Sequence, residues 1–466
     1  MAIPIEDFDA GAYQLPEYAE ALTHLYGRLD SEGLDPLKFA TIDRDLDIYG
    51  QFLSMLGEPH KAVPFVHVTG TRGKGSTVIF LESILKRAGY HVGATVSPHL
   101  IEVRERIRFG GYYISREDFA EYYNSIIKPV ADLNLTGCTF RTVFELLIAL
   151  AFVSFREKNV DLALLEVGMG GRKDATNVVD PLLSVITRIG LDHTHVLGNT
   201  FREIAWDKGH IIKPERPAII GAQPAEALDE LEKRAKKTGS ELWRLGYEFD
   251  YNIIDINYKG VSFNIKTPIS EFKNIKINML GRHQAENAAT AIAAIDRLRH
   301  DGKYDISDNQ IIDGLSEARW EGRAEVICQD PQVVIDGAHT PQGALAMNNL
   351  VKDCWAGRDI TLILGFNKDK DVDGFLDSFD FIPTRVIATE AKTPRAMKKE
   401  HVAELARKRG WEAEIAPVET AIHMALDGIG KNGTVLATGS LYIVGAVRRY
   451  WLQGSDENLI FENSKD

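Results

Sequence analysis

The sequence predicts an α/β fold with two lobes: a doubly wound N-terminal domain that contains a P-loop and carries a small antiparallel β addition, and a smaller Rossmann-like C-terminal domain. Short apolar runs alternate with helical patterns in both halves of the chain, as in parallel sheets covered by helices. A glycine-rich loop joins a strand to a helix near residue 70. From Tyr247 to Ile277 the apolar period changes to two, which is typical of antiparallel strands.

Chain length and composition predict two domains, at residues 1–318 and 319–466. The 466 residues exceed the usual size of one domain, and the apolar fraction of 44% is enough for sizeable cores. The boundary is placed where the chain becomes polar, around residues 302–322, before a new α/β alternation begins. A monomer is the default expectation.

Charge and cysteine content argue against several classes of protein. The net charge of -13 would repel a phosphate polymer, so nucleic acid is not an expected partner. No apolar segment reaches membrane-spanning length and the N-terminus lacks the features of a signal peptide, so we expect a cytoplasmic protein. Cys138, Cys328 and Cys354 are widely spaced without a CxxC pair, which favours packing residues over a disulfide framework or a zinc site.

The most informative stretch is FVHVTGTRGKGST, residues 65–77. It predicts a buried strand, a glycine loop and then a helix that ends near Gly89, which suits a left-handed cap. Glycines let backbone N–H groups approach an anion, the helix N-terminus adds partial positive charge, and Lys74 supplies a full charge. A turn with an exposed lysine is the alternative, but the flanking strand and helix favour a nucleoside triphosphate site. Its residues would be Gly70, Thr71, Arg72, Gly73, Lys74, Gly75 and Ser76.

Charged residues after the second predicted strand, His91–Val96, leave two interpretations open. The strand leads into the loop Ser97-Pro98-His99-Leu100, and Arg104, Arg106 and Arg108 follow at alternate positions. The three arginines form either an anion-binding surface or a solvated face.

Polar residues follow two apolar runs at the predicted carboxyl edge of the sheet. The run NVDLALLEV, residues 159–167, is typical of a strand buried on both faces, and Glu166 lies at its end. The next apolar strand, Leu182–Ile189, is followed by His193. Because open α/β sheets bind ligands at this edge, Glu166 is a candidate magnesium ligand, and His193 is either a metal ligand or a structural histidine.

For three further polar residues, the sequence pattern alone indicates no functional role. Glu145 is the single carboxylate of a long apolar helix, and such residues usually lie at a helix end facing water. Lys208, in a helix predicted over Leu197–Ile212, would by itself be a surface lysine. Asn287 is expected to face outward near the start of an alanine-rich helix.

The second α/β alternation begins after Arg323 and predicts five strands, each followed by a helix. The strands are VVID, TLILGF, RVIATEA, EAEIAP and TVLATGS. The helices are at residues 341–352, 372–378, 399–409 and 418–428, with a final helix after the last strand.

In their joint order and spacing, the motifs of this chain resemble those of folylpolyglutamate synthases and dihydrofolate synthases, ATP-dependent amide-forming ligases of the Mur ligase superfamily. The resemblance covers nearly everything from Pro64 to Arg449. The motifs are GTRGKGS, SPHL with ERI, TVFE, EVGMGGRKDATN, GLDHTHVLGNT, IAWDKGHIIKP, GRHQAENAA, GRAEVI, DGAH, LGFNKDKD and GSLYIVGAVR. Several are modest alone, but their combination is highly specific.

The resemblance implies roles for most of these residues. The implied catalytic residues are Lys74, His193 and Lys208, and Lys208 falls on a lysine that is carbamylated in this superfamily. ATP would be held by the loop Gly70 to Ser76 together with Asn287, Arg323 and Asp336. Two magnesium sites are implied, with the ligands Ser97, Glu166 and His193. The implied substrate-binding residues are His99, Arg106 and Glu145 near the pterin-bearing substrate, and His339 and Ser440 near the incoming glutamate.

The implied reaction joins L-glutamate to a folate or a dihydropteroate through an acyl phosphate. A substrate carboxylate attacks the γ-phosphate of ATP, and the amino group of glutamate then displaces phosphate from the carbonyl carbon. Phosphorylation supplies the leaving group that a free carboxylate lacks. Magnesium and Lys74 would neutralise charge as one anion attacks another, and closure of the two domains would exclude water.

The chain departs from the family pattern at a few positions, which leaves the substrate preference open. Arg72 stands where Asn is usual, Thr340 replaces the Asn of DGAHN, Lys173 replaces a commonly apolar residue, and DKGH replaces EKAG at residues 207–210. The alternatives are another Mur-type amino-acid ligase and a P-loop nucleotide switch that ligates nothing. A dinucleotide-binding dehydrogenase is disfavoured because its fingerprint needs no lysine in the loop.

Overall fold

The computed structural model describes residues 15–27, 46–135, 142–430 and 432–454. Residues 1–14 and Cys138 lie outside these ranges, whereas Cys328 and Cys354 are free thiols. The described residues form two large sheets and one small sheet, which confirms the predicted α/β fold. No helix in the described parts of the chain is long and apolar enough to cross a bilayer.

The N-terminal lobe is built on a sheet of eight strands. These are β1 Phe65–Thr69, β2 Val92–Thr95, β3 Ile107–Phe109, β4 Tyr112–Tyr113, β5 Leu162–Glu166, β6 Leu183–Ile186, β7 Ala218–Ile220 and β8 Leu242–Arg244. Their order across the sheet is β4-β3-β2-β5-β1-β6-β7-β8. The six strands from β2 to β8 in this order are parallel, and β3 and β4 form an antiparallel edge.

Helices cover both faces of this sheet, which explains why its central strands are apolar throughout. The helices of the lobe are α1 Pro16–Tyr26, α2 Leu46–Met55, α3 Lys74–Arg87, α4 Arg116–Leu135, α5 Val143–Glu157, α6 Thr194–Leu197, α7 Phe201–Lys208, α8 Ala225–Thr238, α9 Arg282–His300 and α10 Asp308–Glu317. Leu162 and Leu164 of β5 contribute to the core beneath α3 and α9, whereas Ala163 and Leu165 contribute to the core beneath α1, α2 and α5. Every residue of β5 is buried.

The predicted β addition is a three-stranded antiparallel sheet. Its strands are β9 Asp250–Asn257, β10 Gly260–Lys266 and β11 Glu271–Ile277, in the order β11-β10-β9. Phe263 and Ile265 of β10 join the core that contains the alanine residues of α9. Small side chains on α9 allow this close packing.

The C-terminal lobe contains a six-stranded sheet of order β12-β13-β17-β14-β15-β16. Its strands are β12 Glu325–Gln329, β13 Gln332–Ile335, β14 Asp359–Leu364, β15 Arg385–Ala388, β16 Ala413–Ile415 and β17 Gly433–Thr438. Its helices are α11 Pro341–Trp355, α12 Val372–Asp377, α13 Lys399–Lys408, α14 Val418–Leu426 and α15 Leu441–Gly454. All predicted strands are present, and the sequence interpretation missed β12, which pairs antiparallel to β13.

Two helix predictions differ from the structure. The helix predicted over Leu197–Ile212 is broken, because Gly198 has a φ of 106° and Thr200 starts α7 with a capping box. The polar segment 302–322 contains α10, which packs closely on α3 at Gly314. A polar composition therefore concealed a helix that buries only one narrow face.

The two interpretations of the arginine run are wrong for Arg104 and Arg108. Both side chains are buried, and each forms an ion pair inside the N-terminal lobe: Arg104 with Glu102, and Arg108 with Glu82 at 2.9 Å. Arg106 is also buried, and its Nε donates to Nδ1 of His99. Buried guanidinium groups persist only with such partners, so Arg104 and Arg108 are structural and do not belong to a solvated face.

Removal of one partner of the buried ion pair between Arg108 and Glu82 should strongly destabilise the fold. Glu82→Ala would leave the Arg108 guanidinium buried with a weaker partner, and such losses cost about 3–5 kcal/mol. Urea unfolding should therefore show a large decrease in the free energy of unfolding. Glu404→Ala, which removes an exposed partner of Lys408, should hardly change it. Equal effects of the two substitutions would contradict the assigned role of Glu82.

Candidate nucleotide and acyl-transfer site

The glycine loop between β1 and α3 has the backbone that the sequence predicts. Gly73 precedes α3 with a φ of 87°, a conformation that favours glycine. A Cβ at this position would also collide with the side-chain amide of Asn287. The N–H groups of Thr71 and Arg72 donate to the carbonyl of Arg188, at 2.9 and 3.2 Å, which ties the loop to the segment after β6.

Lys74 is the first residue of α3, so its ammonium group lies at the positive end of the helix. Its Nζ is 3.9 Å from Oε1 of Glu166, and its side chain is largely buried. Arg72, by contrast, is exposed at the loop surface. The residue after Lys74, Gly75, packs against the indole of Trp320. A Cβ atom added to Gly75 would lie 3.0 Å from the indole ring.

Glu166 is the last residue of β5 and lies in the centre of the site. Its Oε2 accepts a hydrogen bond from the backbone N–H of Ser97 at 2.7 Å. Burial raises the pKa of this carboxyl group, whereas Lys74, the Ser97 N–H, Arg323 and Arg106 act against that shift. The structure thus brings together Lys74, Ser97 and Glu166, three residues predicted from separate motifs.

Lys208 is buried beneath the glycine loop and is not a surface lysine. Its Nζ donates to the carbonyl of Gly70 at 2.9 Å. Burial, and next the charge of Lys74, lowers its pKa from 10.5 to about 7. Near neutral pH a large fraction of this side chain is therefore the uncharged, nucleophilic amine.

His193 shares this electrostatic environment, although half of its side chain is exposed. It precedes α6 with a φ of 49°, in the left-handed region. Burial lowers its pKa, Asp192 raises it, and the charges of Lys208 and Lys74 lower it further. The imidazole is therefore neutral near pH 7, the form that can bind a metal.

One predicted substrate residue, Arg106, lies beside Glu166, a second, His99, contacts Arg106, and a third, Glu145, has a structural contact. Arg106 and Ser97 line a small cavity with Glu166 and Phe144, and Arg106 donates to His99. Glu145 forms a capping box at the start of α5, where its carboxylate accepts from the N–H and hydroxyl of Thr142. Glu145 thus stabilises a helix end, as the pattern alone suggested.

The prediction that Asn287 faces outward is wrong, because its side chain is buried. Its Nδ2 donates to Oε1 of Gln284 on the same helix, and its Oδ1 lies against Gly73. The residue therefore supports the glycine loop from the alanine-rich helix α9. The close approach of α9 to the loop is a tertiary contact that its helical pattern does not reveal.

The C-terminal lobe presents Arg323, Asp336 and His339 toward the same region. The Asp336 carboxylate accepts from the N–H groups of Ala324 and Ala338, each at 2.8 Å, and this fixes the segment that carries Arg323. Nδ1 of His339 is 2.8 Å from the carbonyl of Gly337. Burial lowers the pKa of His339, and among the charges that modify it are Arg323 in its own lobe and Asp192 in the other lobe.

The carboxyl ends of β13, β17 and β14 meet at this edge of the C-terminal sheet. Ser440 follows β17, is buried, and accepts from the N–H of Tyr442 at 3.2 Å. Thr340 is the N-cap of α11 and accepts from the N–H of Gly343. Its departure from the usual Asn therefore keeps a side chain that can cap the helix.

Sequence reasoning missed Lys370 and Trp320. The charge of Lys370, in the loop after β14, lowers the pKa of both His193 and His339, which lie in different lobes. The motif LGFNKDKD contains this lysine, but its spacing gives no indication of a partner. Trp320 lies in the connection between the lobes, where its contact with Gly75 depends entirely on tertiary structure.

Family models match both lobes of the chain. The Mur ligase middle domain matches residues 68–295, and the Mur ligase glutamate ligase domain matches residues 322–441.

Individual relatives match almost the whole chain. The dihydrofolate synthase/folylpolyglutamate synthase of Bacillus subtilis (strain 168) is 34% identical over 438 residues, which cover 93% of this chain and 98% of the relative. The structure of Mycobacterium tuberculosis folylpolyglutamate synthase complexed with ADP superposes with a TM-score of 0.84 at 28% identity, covering 95% and 99% of the two chains. The structure of Escherichia coli FolC in complex with DHPP and ADP superposes with a TM-score of 0.79 at 31% identity, covering 93% of this chain and 97% of that chain.

The lowered pKa of Lys208 predicts a pH-dependent stability. The folded chain releases this proton near pH 7, but the unfolded chain keeps it up to about pH 10.5. The burial of Lys208 therefore penalises folding fully below pH 7 and progressively less toward pH 10.5. In CO₂-free buffer, Lys208→Met should gain melting temperature relative to the parent at pH 6.5, and this difference should shrink by pH 9.5. An exposed control, Lys236→Met, should show no such trend, and a constant difference for Lys208→Met would contradict the lowered pKa.

Proposed function

Since this chain belongs to the folylpolyglutamate synthase and dihydrofolate synthase family of Mur ligases, we propose that it joins L-glutamate to the carboxylate of a folate or a dihydropteroate, with cleavage of ATP to ADP and phosphate. The observation that carries this proposal is the arrangement of the glycine loop with Lys74 and Glu166 in one lobe. Arg323 of the other lobe acts electrostatically on the same Glu166. Charged groups from both lobes thus act on the same carboxylate.

In the proposed reaction the acceptor carboxylate attacks the γ-phosphorus of ATP and ADP leaves. The uncharged amine of glutamate then attacks the carbonyl carbon of the acyl phosphate. Inorganic phosphate leaves with the bonding electron pair and takes up the proton that the nitrogen loses. Lys74 and the loop N–H groups offset charge on the phosphates during the first step. His339 and Ser440, at the carboxyl edge of the C-terminal sheet, are proposed to hold glutamate for the second step.

Of the ligands proposed for magnesium, the Glu166 carboxylate and the Ser97 hydroxyl supply the oxygen atoms that this ion prefers, whereas the His193 imidazole is a softer ligand. Within the described ranges no group of three or more His, Cys, Asp or Glu side chains could hold a metal by itself. Magnesium usually takes one or two protein carboxylates and completes its shell with phosphate oxygens and water, so a site with Glu166, Ser97 and His193 needs no such group. Bound there, magnesium would neutralise phosphate charge and orient the γ-phosphate for attack.

Carbamylation of Lys208 is proposed on the basis of its lowered pKa. The uncharged Nζ amine can attack CO₂ to give a carbamate and release a proton, whereas a protonated lysine cannot. The product would carry a negative charge beneath the glycine loop, close to Lys74. Near neutral pH, carbamylation would thus replace a partly cationic side chain, which opposes magnesium binding, with an anion that favours it.

The proposed domain boundary, between residues 318 and 319, places Trp320 and Arg323 at the start of the C-terminal domain. Trp320 contacts the glycine loop and Arg323 acts on Glu166, so the connecting segment lies beside the proposed site. Closure of the two domains about this segment would protect the acyl phosphate from water. That the protein is monomeric and cytoplasmic stays a prediction.

Product analysis tests the proposed function directly. The purified protein is incubated with ATP, magnesium and either dihydropteroate or tetrahydrofolate, with and without L-glutamate, and products are identified by mass. A glutamyl adduct formed only with glutamate, together with release of phosphate, is expected. Phosphate release that does not depend on glutamate would instead support a nucleotide switch.

Lys74 should be essential for turnover. Lys74→Ala removes a cation from the phosphate site, and we expect a loss of kcat of at least about a hundredfold, with a normal circular dichroism spectrum. Lys86→Ala, at the other end of the same helix α3, is the matched control and should retain activity. Near-normal turnover of Lys74→Ala would contradict the phosphate assignment.

Glu166 should determine the dependence on magnesium. Glu166→Gln keeps the size of the side chain but removes its charge, so half-maximal activity should require at least roughly tenfold more magnesium. Glu317→Gln, an exposed carboxylate on α10, is the control. Superimposable magnesium titrations for Glu166→Gln and the parent would refute its role as a ligand.

A further inference from the structure

The loop that follows β2 contacts both lobes of the molecule. At the first residue of this loop, the N–H of Ser97 donates to Glu166 at 2.7 Å, inside the N-terminal lobe. Three residues later, the side chain of Leu100 packs against an apolar core of the C-terminal lobe. Leu100 belongs to the motif SPHL, and its contact on the other lobe, Gly445, belongs to the motif GSLYIVGAVR. The proposed reaction gives neither residue a role.

Leu100 occupies a socket formed by Gly322, Val444 and Gly445 of the C-terminal lobe. The two methyl groups of its side chain lie so close to Gly322 that a Cβ there would be 3.0 and 3.1 Å from them. Its carbonyl oxygen lies against helix α15 at Gly445, where a Cβ would be only 2.3 Å away. Since a backbone oxygen cannot move aside without its loop, only glycine at position 445 permits this approach. We call these three residues the Leu100 socket.

The carboxylate of Glu105 holds the loop in this conformation. It accepts hydrogen bonds, at 2.6, 2.7 and 2.9 Å, from three successive backbone N–H groups, those of Leu100, Ile101 and Glu102. The Glu105 side chain is buried, and leaving any of these donors unpaired would be costly. Only two residues separate Leu100 from Ser97. A displacement of Leu100 therefore moves Ser97 or breaks the bonds that order the loop.

The Leu100 socket is also tied to the charge that the C-terminal lobe directs at the site. Gly322 precedes Arg323, which acts electrostatically on Glu166. The N–H of Gly322 donates to Glu325 at 2.8 Å, and Glu325 pairs with Arg448 of α15 at 3.0 Å. The segment with Arg323 and the helix with the socket are therefore joined within one lobe.

We propose that Leu100 is a positioning residue that couples the placement of the C-terminal lobe to the contact between Ser97 and Glu166. This role rests on the proposed function, because Ser97 and Glu166 are assigned there to the magnesium site. While Leu100 fills its socket, the Ser97 N–H is held against the Glu166 carboxylate. When the C-terminal lobe moves away, the socket leaves Leu100 and this support is lost. The site is thus complete only while the lobe that carries Arg323 is in place.

Gly445→Ala distinguishes this coupling from the ordinary effect of the same substitution. Alanine is more favourable than glycine inside a helix, so the change should be harmless unless the new methyl group meets an obstacle. Here it meets the carbonyl of Leu100. Gly50→Ala in helix α2 is the matched control, because no part of the described chain beyond that helix comes within 4 Å of a Cβ at Gly50.

Two substitutions of Leu100 keep the test available if Gly445→Ala does not fold, since Leu100 is a partly exposed loop residue. Leu100→Ala empties the socket. Leu100→Met fills it again with an apolar side chain of similar volume and is the conservative variant.

Hydrogen exchange in the metal-free protein measures the coupling without turnover. The N–H groups of residues 97–102 should exchange at least about tenfold faster in Gly445→Ala and Leu100→Ala than in the parent. Gly50→Ala and Leu100→Met should stay close to the parent rate. Equal protection of this loop in the parent and in both disruptive variants would overturn the proposal, whether or not the protein ligates glutamate.

Steady-state kinetics separate a positioning role from a loss of packing. Gly445→Ala and Leu100→Ala should require roughly tenfold more magnesium for half-maximal activity and lose roughly tenfold in kcat, with the KM for glutamate unchanged. Leu100→Met should recover most of both losses. Ile422→Val, which removes a methyl group from the same C-terminal core but lies on α14, should keep the parent values. Parent-like values in both disruptive variants, or a change confined to the KM for glutamate, would overturn the proposal.

Discussion

The position of Glu166 beside Lys74 is the constraint on which the rest of the site depends. A carboxylate at the end of a central strand is surrounded by apolar layers on both sides, and burial there disfavours its charge. Lys74, the N–H of Ser97 and the arginines Arg323 and Arg106 compensate, and these four groups come from three separate parts of the chain. The glycine loop, the loop after β2 and the start of the C-terminal lobe must therefore converge on one carboxylate.

Much of this arrangement could be predicted from the sequence because the evidence is local. The strand, glycine loop and helix at residues 65–87 are predicted by the period of the apolar residues and by the glycines. Strand β5 is predicted by a continuous apolar run, because helices cover both faces of the sheet and bury all of its side chains. Glu166 and His193 could be named as candidates because parallel strands deliver their final residues to one edge of a sheet. These inferences need only the chain direction and the period of the pattern.

What the sequence did not reveal depends on contacts between distant segments. Arg104 and Arg108 alternate like a solvated strand face, but Glu102 and Glu82 pair with them in the interior. Lys208 occupies a helical position that looks exposed until the loop carbonyl of Gly70 is placed above it. Asn287 was assigned to the wrong face because its neighbour, Gly73, lies more than two hundred residues earlier in the chain. In each case the residue type alone was ambiguous, and a partner distant in the sequence decided where the side chain lies.

The contact between Gly75 and Trp320 has a consequence for how this protein can vary over time. A methyl group at position 75 would press on the indole, and the indole belongs to the segment that leads into the second lobe. To accommodate it, the loop or the indole would have to shift by a few tenths of an ångström. Divergence at these two positions is expected to be concerted, with a bulkier loop residue accepted only alongside a smaller ring or none.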